Sequence, residues 1–216
     1  MHNQLPTATD VSVMDRLKSR TDDILRRGQQ HPLQRSLVSG QITRDHYVAY
    51  IRQLLLIYQP MERLLRSLRD RDRGASLIIR EEQFLSPLIL TDLTHLGSDG
   101  GAMASRAVRR MVDEMHLASA RVPRSILGCL YVVEGSKNGS RYVAPAIQRA
   151  LNLLPGHGTM MFDPYGDNQV AKWTAFKNAM NATAFSPEEI EAMSHTALTM
   201  FEAYIAVSEE VMPTRA

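Results

Sequence analysis

Leu127-Gly128-Cys129-Leu130-Tyr131-Val132-Val133-Glu134-Gly135-Ser136-Lys137-Asn138-Gly139-Ser140-Arg141-Tyr142 is the stretch on which the fold turns. It opens as an apolar helix and then carries glycines at 135 and 139, one turn apart. Each mid-helix glycine costs about 1 kcal/mol relative to alanine, so something must compensate. Two explanations compete. One is close packing of helix on helix, where a missing side chain lets two backbones approach. The other is a helix bent over a flat ligand, where the missing Cβ atoms admit the ligand face.

Helical signals continue outward on both sides. Upstream, Val13, Met14, Leu17, Ile24 and Leu25 repeat at helical spacing, with Thr9 or Asp10 as the expected cap and Gly28 and Pro32 closing the helix. A short helix over 32–39 ends at Gly40. Thr43 caps a long one over 44–70, kinked at Pro60. The run Arg69-Asp70-Arg71-Asp72-Arg73-Gly74 reads as a solvated turn. Helices near 75–84, 87–96 and 102–118 follow, and Pro123 starts one that reaches Asn152 with interruptions at Gly135 and Gly139. Downstream, 153–168 is the longest loop and 169–182 a helix. Ser186-Pro187-Glu188-Glu189 forms a capping box with proline at N1, opening a last helix to about 211. No segment argues for a sheet. The expectation is an all-α single domain over 10–212, with a flexible leader at 1–9 and a tail at 213–216.

Composition narrows the function classes. Hydrophobic residues make up 44% and charged residues 22% of 216, with a net charge of +2, too small to imply nucleic acid or an anionic membrane as partner. A single cysteine, Cys129, excludes an internal disulfide and a cysteine-rich metal site. It lies in an apolar run and reads as a small buried hydrophobe. No signal-peptide or membrane-spanning run appears, so the expected compartment is the cytoplasm.

The glycine-interrupted stretch resembles the distal helix of bacterial heme oxygenases, the biliverdin-forming enzymes. The resemblance extends along most of the chain: Leu17-Lys18-x-x-Thr21, Pro32-Leu33, Ser39-Gly40-x-x-Thr43-x-x-x-Tyr47-x-x-Tyr50, Ile57-Tyr58-x-Pro60-x-Glu62, Leu90-x-Asp92-Leu93-x-x-Leu96-Gly97 and Trp173-x-x-Phe176. It implies a heme-oxygenase-like helical bundle holding heme between a proximal and a distal helix. It also implies oxygen chemistry fed by an electron-donating reductase, opening the macrocycle to biliverdin, iron and carbon monoxide.

The chain departs from that pattern at a decisive place. The resemblance puts the family's proximal histidine four residues after Thr21, and that position is Leu25. At 100° per residue Leu25 lies about 80° from Leu17, on the apolar face, and leucine cannot coordinate iron. On the distal side the family's leucine and second glycine are Asn138 and Ser140. Leu25, Gly135, Ser136, Gly139 and Ser140 are therefore the candidate ligand-binding residues, Leu25 as a non-ligating one. The ligand expected is heme, another tetrapyrrole or a flat apolar molecule, without histidine-ligated cleavage.

Two alternatives stand beside this. One is an active heme oxygenase with a substitute ligand, His31 being nearest. His46, in the first turn of its helix, is expected to face solvent. The other is a dinuclear iron oxygenase drawing on Glu62, Asp92 with His95, Glu114 with His116, or Glu191 with His195, since helical carboxylate–histidine pairs are the usual form of such sites. Against it, His195 falls about 200° from the core residue Met193, and Glu114 and His116 face different ways.

Overall fold

The structure, a computed structural model, describes residues 11–99 and 101–214. Within them the chain forms ten α-helices joined by turns and short 3-10 segments, with no strand. The expected leader, and Thr9 and Asp10 as caps, lie outside the described residues. The first helix, α1 (Val13–Gln29), is capped instead by Ser12, whose hydroxyl accepts the Asp15 N–H. Gly28 does not break it. The next, α2 (Pro32–Ser39), starts with proline at N1 and ends at Gly40, whose φ of 69° is the left-handed conformation that glycine takes without strain.

A 26-residue helix, α3 (Arg44–Arg69), continues past the buried Pro60. The helix expected near 75–84 is shorter: α4 (Arg73–Ile78) is followed by a 3-10 turn, Glu81–Gln83. The charged turn before it is more than solvated surface. Asp72 caps α4 and pairs with Arg124 through two contacts of 2.7 and 3.0 Å, fixing it to the 3-10 turn Pro123–Ile126. Then come α5 (Ser86–His95) and α6 (Arg106–Arg121).

The long helix expected from 123 to 152 is three pieces. After the Pro123–Ile126 turn, α7 (Leu127–Ser140) runs through Gly135 and Gly139 and ends one residue later, and α8 (Ala144–Ala150) restarts with Pro145 in its first turn. The loop behind it holds 3-10 turns at Met160–Phe162 and Gly166–Asn168. The last two helices are α9 (Gln169–Ala182) and α10 (Pro187–Val211), α10 opening with the capping box of Ser186 and Glu189.

The apolar stripes meet around α10, which packs on α1, α6 and α7, while α3 packs on α5 and α6. Gly128 lets α7 cross α10 closely: a Cβ there would stand 2.0 Å from the Met193 carbonyl oxygen. Backbone approach thus explains Gly128, a glycine that the spacing of 135 and 139 does not single out. Cys129 is fully buried beneath the same crossing, and burial pushes its thiol up to about 12.

Candidate functional site

Helices α1, α2, α3, α7 and α10 enclose a cleft of about 290 Å³, near the lower end for small-molecule sites. One wall is α1, presenting Leu25 and Gly28; the opposite wall is α7, presenting Ser136, Lys137, Gly139 and Ser140. Each wall carries a glycine, Gly28 on α1 and Gly139 on α7. Gly139 would meet nothing within 4 Å if given a Cβ, so open space stands over it. Gly135 is different. It does not line the cleft; its missing Cβ points at the Trp173 ring of α9, 3.7 Å away. Its place in the ligand slot is corrected on that ground: one turn of helix separates it from Gly139, but the two face different neighbours.

Ser140 does line the cleft, with its hydroxyl committed. It donates to the Phe162 carbonyl at 2.7 Å, tying the end of α7 to the Met160–Phe162 turn, whose Met161 and Phe162 also reach the cleft. Asp92 holds that turn from the other side, accepting the N–H groups of Met160 and Met161 at 2.7 and 2.9 Å. Burial raises the Asp92 carboxyl to about 6 against these hydrogen bonds. Asn138 points away, linking the Gly135 carbonyl to Gln169.

Behind the α7 wall lies a buried charge network. Lys137 gives its ammonium to the Gln83 carbonyl (3.0 Å), the Tyr165 hydroxyl (3.0 Å) and Glu134, and Tyr165 donates onward to Glu134 at 3.0 Å. Burial drives Lys137 down and Glu134 up, and their mutual contact opposes both shifts. Three acceptors for three ammonium protons leave Lys137 no hydrogen-bonding capacity toward the cleft.

Part of the cleft lining is polar. Gln34 on α2 donates to the Tyr50 hydroxyl (2.9 Å) and to Ser208 Oγ (3.2 Å). The hydroxyls of Tyr58 on α3 and Tyr204 on α10 stand 2.7 Å apart. Burial lifts all three phenols, Tyr50 to about 12, so they stay neutral donors. Sequence reasoning missed this cluster. Tyr50 and Tyr58 fell into the apolar stripe of α3, and nothing in one helix announces hydroxyls of two helices meeting an amide from a third.

The histidines lie elsewhere. His31 caps α2: its Nδ1 accepts the Leu33 N–H at 3.1 Å and its Nε2 lies 2.9 Å from Glu209. Both ring nitrogens are engaged, and the residue does not line the cleft, so it is no substitute ligand. His46 is half-buried rather than solvent-facing. His95 stacks edge-on against His157 at 4.3 Å, and His116 and His195 are exposed.

The dinuclear reading fails on the same accounting. Glu62 accepts the Leu85 and Ser86 N–H groups at the start of α5, Asp92 caps the Met160–Phe162 turn, and Glu191 pairs with Arg20. Among the described residues no group of three or more His, Cys, Asp or Glu is placed to hold a metal ion.

Comparison with known proteins agrees with this architecture. The heme oxygenase family description matches residues 11–210. The chain belongs to the heme oxygenase family. Heme oxygenase-1 of the cyanobacterium Synechocystis, solved in complex with heme, superposes with a TM-score of 0.85 at 20% identity, covering 94% of this chain and 93% of that one. Heme oxygenase from Leptospira interrogans gives 0.83 at 18%, covering 93% and 100%. A TenA homologue from P. horikoshii gives 0.63 at 12%, covering 93% and 98%. These likenesses show the shared fold. No curated protein matches in sequence.

An imidazole-held heme iron does not fit the side chains of this cleft. Among the described residues no histidine or cysteine lines it. A tyrosinate ligand would need a phenol that burial holds neutral. Lys137 is saturated, which leaves the Met161 thioether, a weak acceptor. What remains of the lining is largely apolar.

Proposed function

We propose that this heme oxygenase family member is a binding protein. It takes a flat, largely apolar tetrapyrrole between α1 and α7 and does not carry out histidine-ligated heme cleavage. One observation carries the reading: Leu25, the residue that the family resemblance sets at the proximal position, lines the cleft, and among the described residues no imidazole accompanies it. Axial ligand identity is the protein's main lever on heme iron. Taking it away while keeping the walls leaves binding without the iron chemistry. An electron-donating reductase has no part in this reading. Among the described residues no helix is long and apolar enough to cross a membrane.

Titration of the purified protein with ferric heme, followed by reduction in air, tests the proposal. The expected result is binding without an imidazole-type Soret spectrum and without biliverdin. A sharp imidazole-type band followed by biliverdin would refute it. Leu25→His supplies the second arm. With the walls intact, that variant gains heme affinity and an imidazole-type spectrum.

A further inference from the structure

One pair of metal-ligating side chains belongs neither to the cleft nor to the buried charge network. His95 is the last residue of α5, His157 sits in the loop 151–159, and both are exposed. Their rings meet with centroids 4.3 Å apart and planes at 67°. Neither lines the cleft.

The backbone holds this contact from both sides. His95 stands on a helix end anchored by the buried Leu93 and Leu96. On the loop side the His157 N–H donates to the Leu154 carbonyl at 3.0 Å. The next residue, Gly158, is gripped twice: its carbonyl accepts the Tyr47 hydroxyl at 2.6 Å, and its N–H meets His95 Nδ1 at 3.4 Å. Gly158 has a φ of 71°, and a Cβ there would stand 3.0 Å from Leu153 and 3.4 Å from Leu96, so glycine lets the loop lie this close to the end of α5. Thr159 then accepts from Gln148 at 2.7 Å, and the Met160–Phe162 turn rests on Asp92. His157 is therefore carried by a segment fastened at successive residues, and the two imidazoles are together before any ligand arrives. Such preorganisation raises a two-point site above two single ones.

A neutral imidazole nitrogen suits zinc, nickel and copper, whereas magnesium and calcium take oxygen. Two imidazoles on one tetrahedral ion, with metal–nitrogen distances of about 2.0–2.1 Å, have ring centres about 5 Å apart, within about 1 Å of the spacing seen. Exposed side chains cover that difference by rotation. The Gly158 contact engages His95 Nδ1, so Nε2 is the nitrogen left to ligate. Ligation there moves the ring proton to Nδ1 and gives up a contact that is long and weak at 3.4 Å. The carboxylate of Asp92, one turn back on α5, favours a cation nearby: burial raises its carboxyl, and the charge of His95 opposes the rise. Arg44, which donates to the Leu96 carbonyl at 2.8 Å, offsets part of that field.

We infer that His95 and His157 form a two-imidazole site for a divalent transition-metal ion of the zinc, nickel or copper kind, with water completing the coordination, and that the bound ion clasps the loop 151–159 to the end of α5. The site shares no residue with the cleft lining, so it stands or falls apart from the tetrapyrrole reading. The chain nonetheless joins the two, because Met161 and Phe162 of the cleft lining follow His157 in the same fastened segment.

Isothermal titration of the untagged protein with zinc chloride in a non-chelating buffer tests the inference. The proteins compared are the native chain, His95→Ala, His157→Ala, the double variant, and His195→Ala as a control at another exposed histidine. The native protein is expected to bind zinc, and each single variant at the pair to lose about a hundredfold in affinity. The double variant should lose little more than either single one, because removing one ring already ends chelation. His195→Ala should bind as the native protein does. Zinc should also raise the melting temperature of the native protein and leave that of the double variant unmoved. No zinc binding by the native protein would overturn the inference. So would native affinity in the double variant, or a loss in His195→Ala equal to that in His95→Ala.

Discussion

Two buried polar networks flank the cleft, and they differ in one respect. The network behind α7 is closed on the donor side: every proton of the Lys137 ammonium and the Tyr165 hydroxyl has an acceptor within it. The network of Gln34, Tyr50, Ser208, Tyr58 and Tyr204 is open: the Tyr58–Tyr204 pair shares one hydrogen bond, so one of its two phenol protons has no acceptor among the described residues. A closed network fixes structure and a surplus one recognises something, because unmet capacity in a low-dielectric site favours whatever ligand satisfies it. The position of Lys137 on the cleft wall is therefore a positional accident of a structural residue. The tyrosines, which look like core, are where the cleft lining offers hydroxyl groups.

The largest way to break this contrast is Lys137→Met. It strands the Glu134 carboxylate and is expected to destabilise the fold by about 3–5 kcal/mol, measured by urea unfolding. Adding Glu134→Gln should restore part of that loss. Next comes Asp92→Ala, which leaves the Met160 and Met161 N–H groups without their acceptor and should cost about 2–3 kcal/mol, with cleft ligand affinity falling as the Met160–Phe162 turn loosens. In the tyrosine network the effect on stability should be small: Tyr58→Phe removes one neutral hydrogen bond, about 1 kcal/mol by thermal melting. A stability loss for Tyr58→Phe matching that of Lys137→Met would erase the distinction between the two networks.

The smallest expected effect sharpens the comparison through pH. Burial raises Tyr50 from 10.0 to about 12. A raised folded-state value means that the native protein binds more protons than the unfolded chain across that interval, so stability falls as pH rises from 10 toward 12. Tyr50→Phe should flatten the alkaline arm of a stability–pH curve. An unchanged arm would show that the cleft phenols are solvated.

Much of the fold was legible because it rests on local chemistry. The Ser186–Glu189 capping box and the apolar period of α10 need only neighbours in sequence, and both stand as read. The glycine-rich stretch was legible as helix and misread in detail. A helix tolerates Gly135 and Gly139 because each costs only about 1 kcal/mol, so α7 ends where the Ser140 hydroxyl turns to Phe162 and not at a glycine. Gly128, the residue that a backbone contact truly requires, shows no sequence sign of that need. In the site, Leu25, Ser136, Gly139 and Ser140 were singled out by the family resemblance, and the structure sets all four on the cleft lining. Gln34, Tyr50, Tyr58, Tyr204 and Ser208 were missed because their shared chemistry exists only where three helices converge. His31, standing just before Pro32 where a helix cap is expected, does cap α2, and its partner Glu209 lies too far along the chain to be read from sequence.

Resonance Raman spectroscopy of ferrous heme added to the native protein tests the central statement that, among the described residues, no imidazole lines the cleft. The account predicts a spectrum without an iron–histidine stretch, and the appearance of that stretch in Leu25→His. An iron–histidine stretch in the native protein, lost on replacing one of its own histidines, would contradict it.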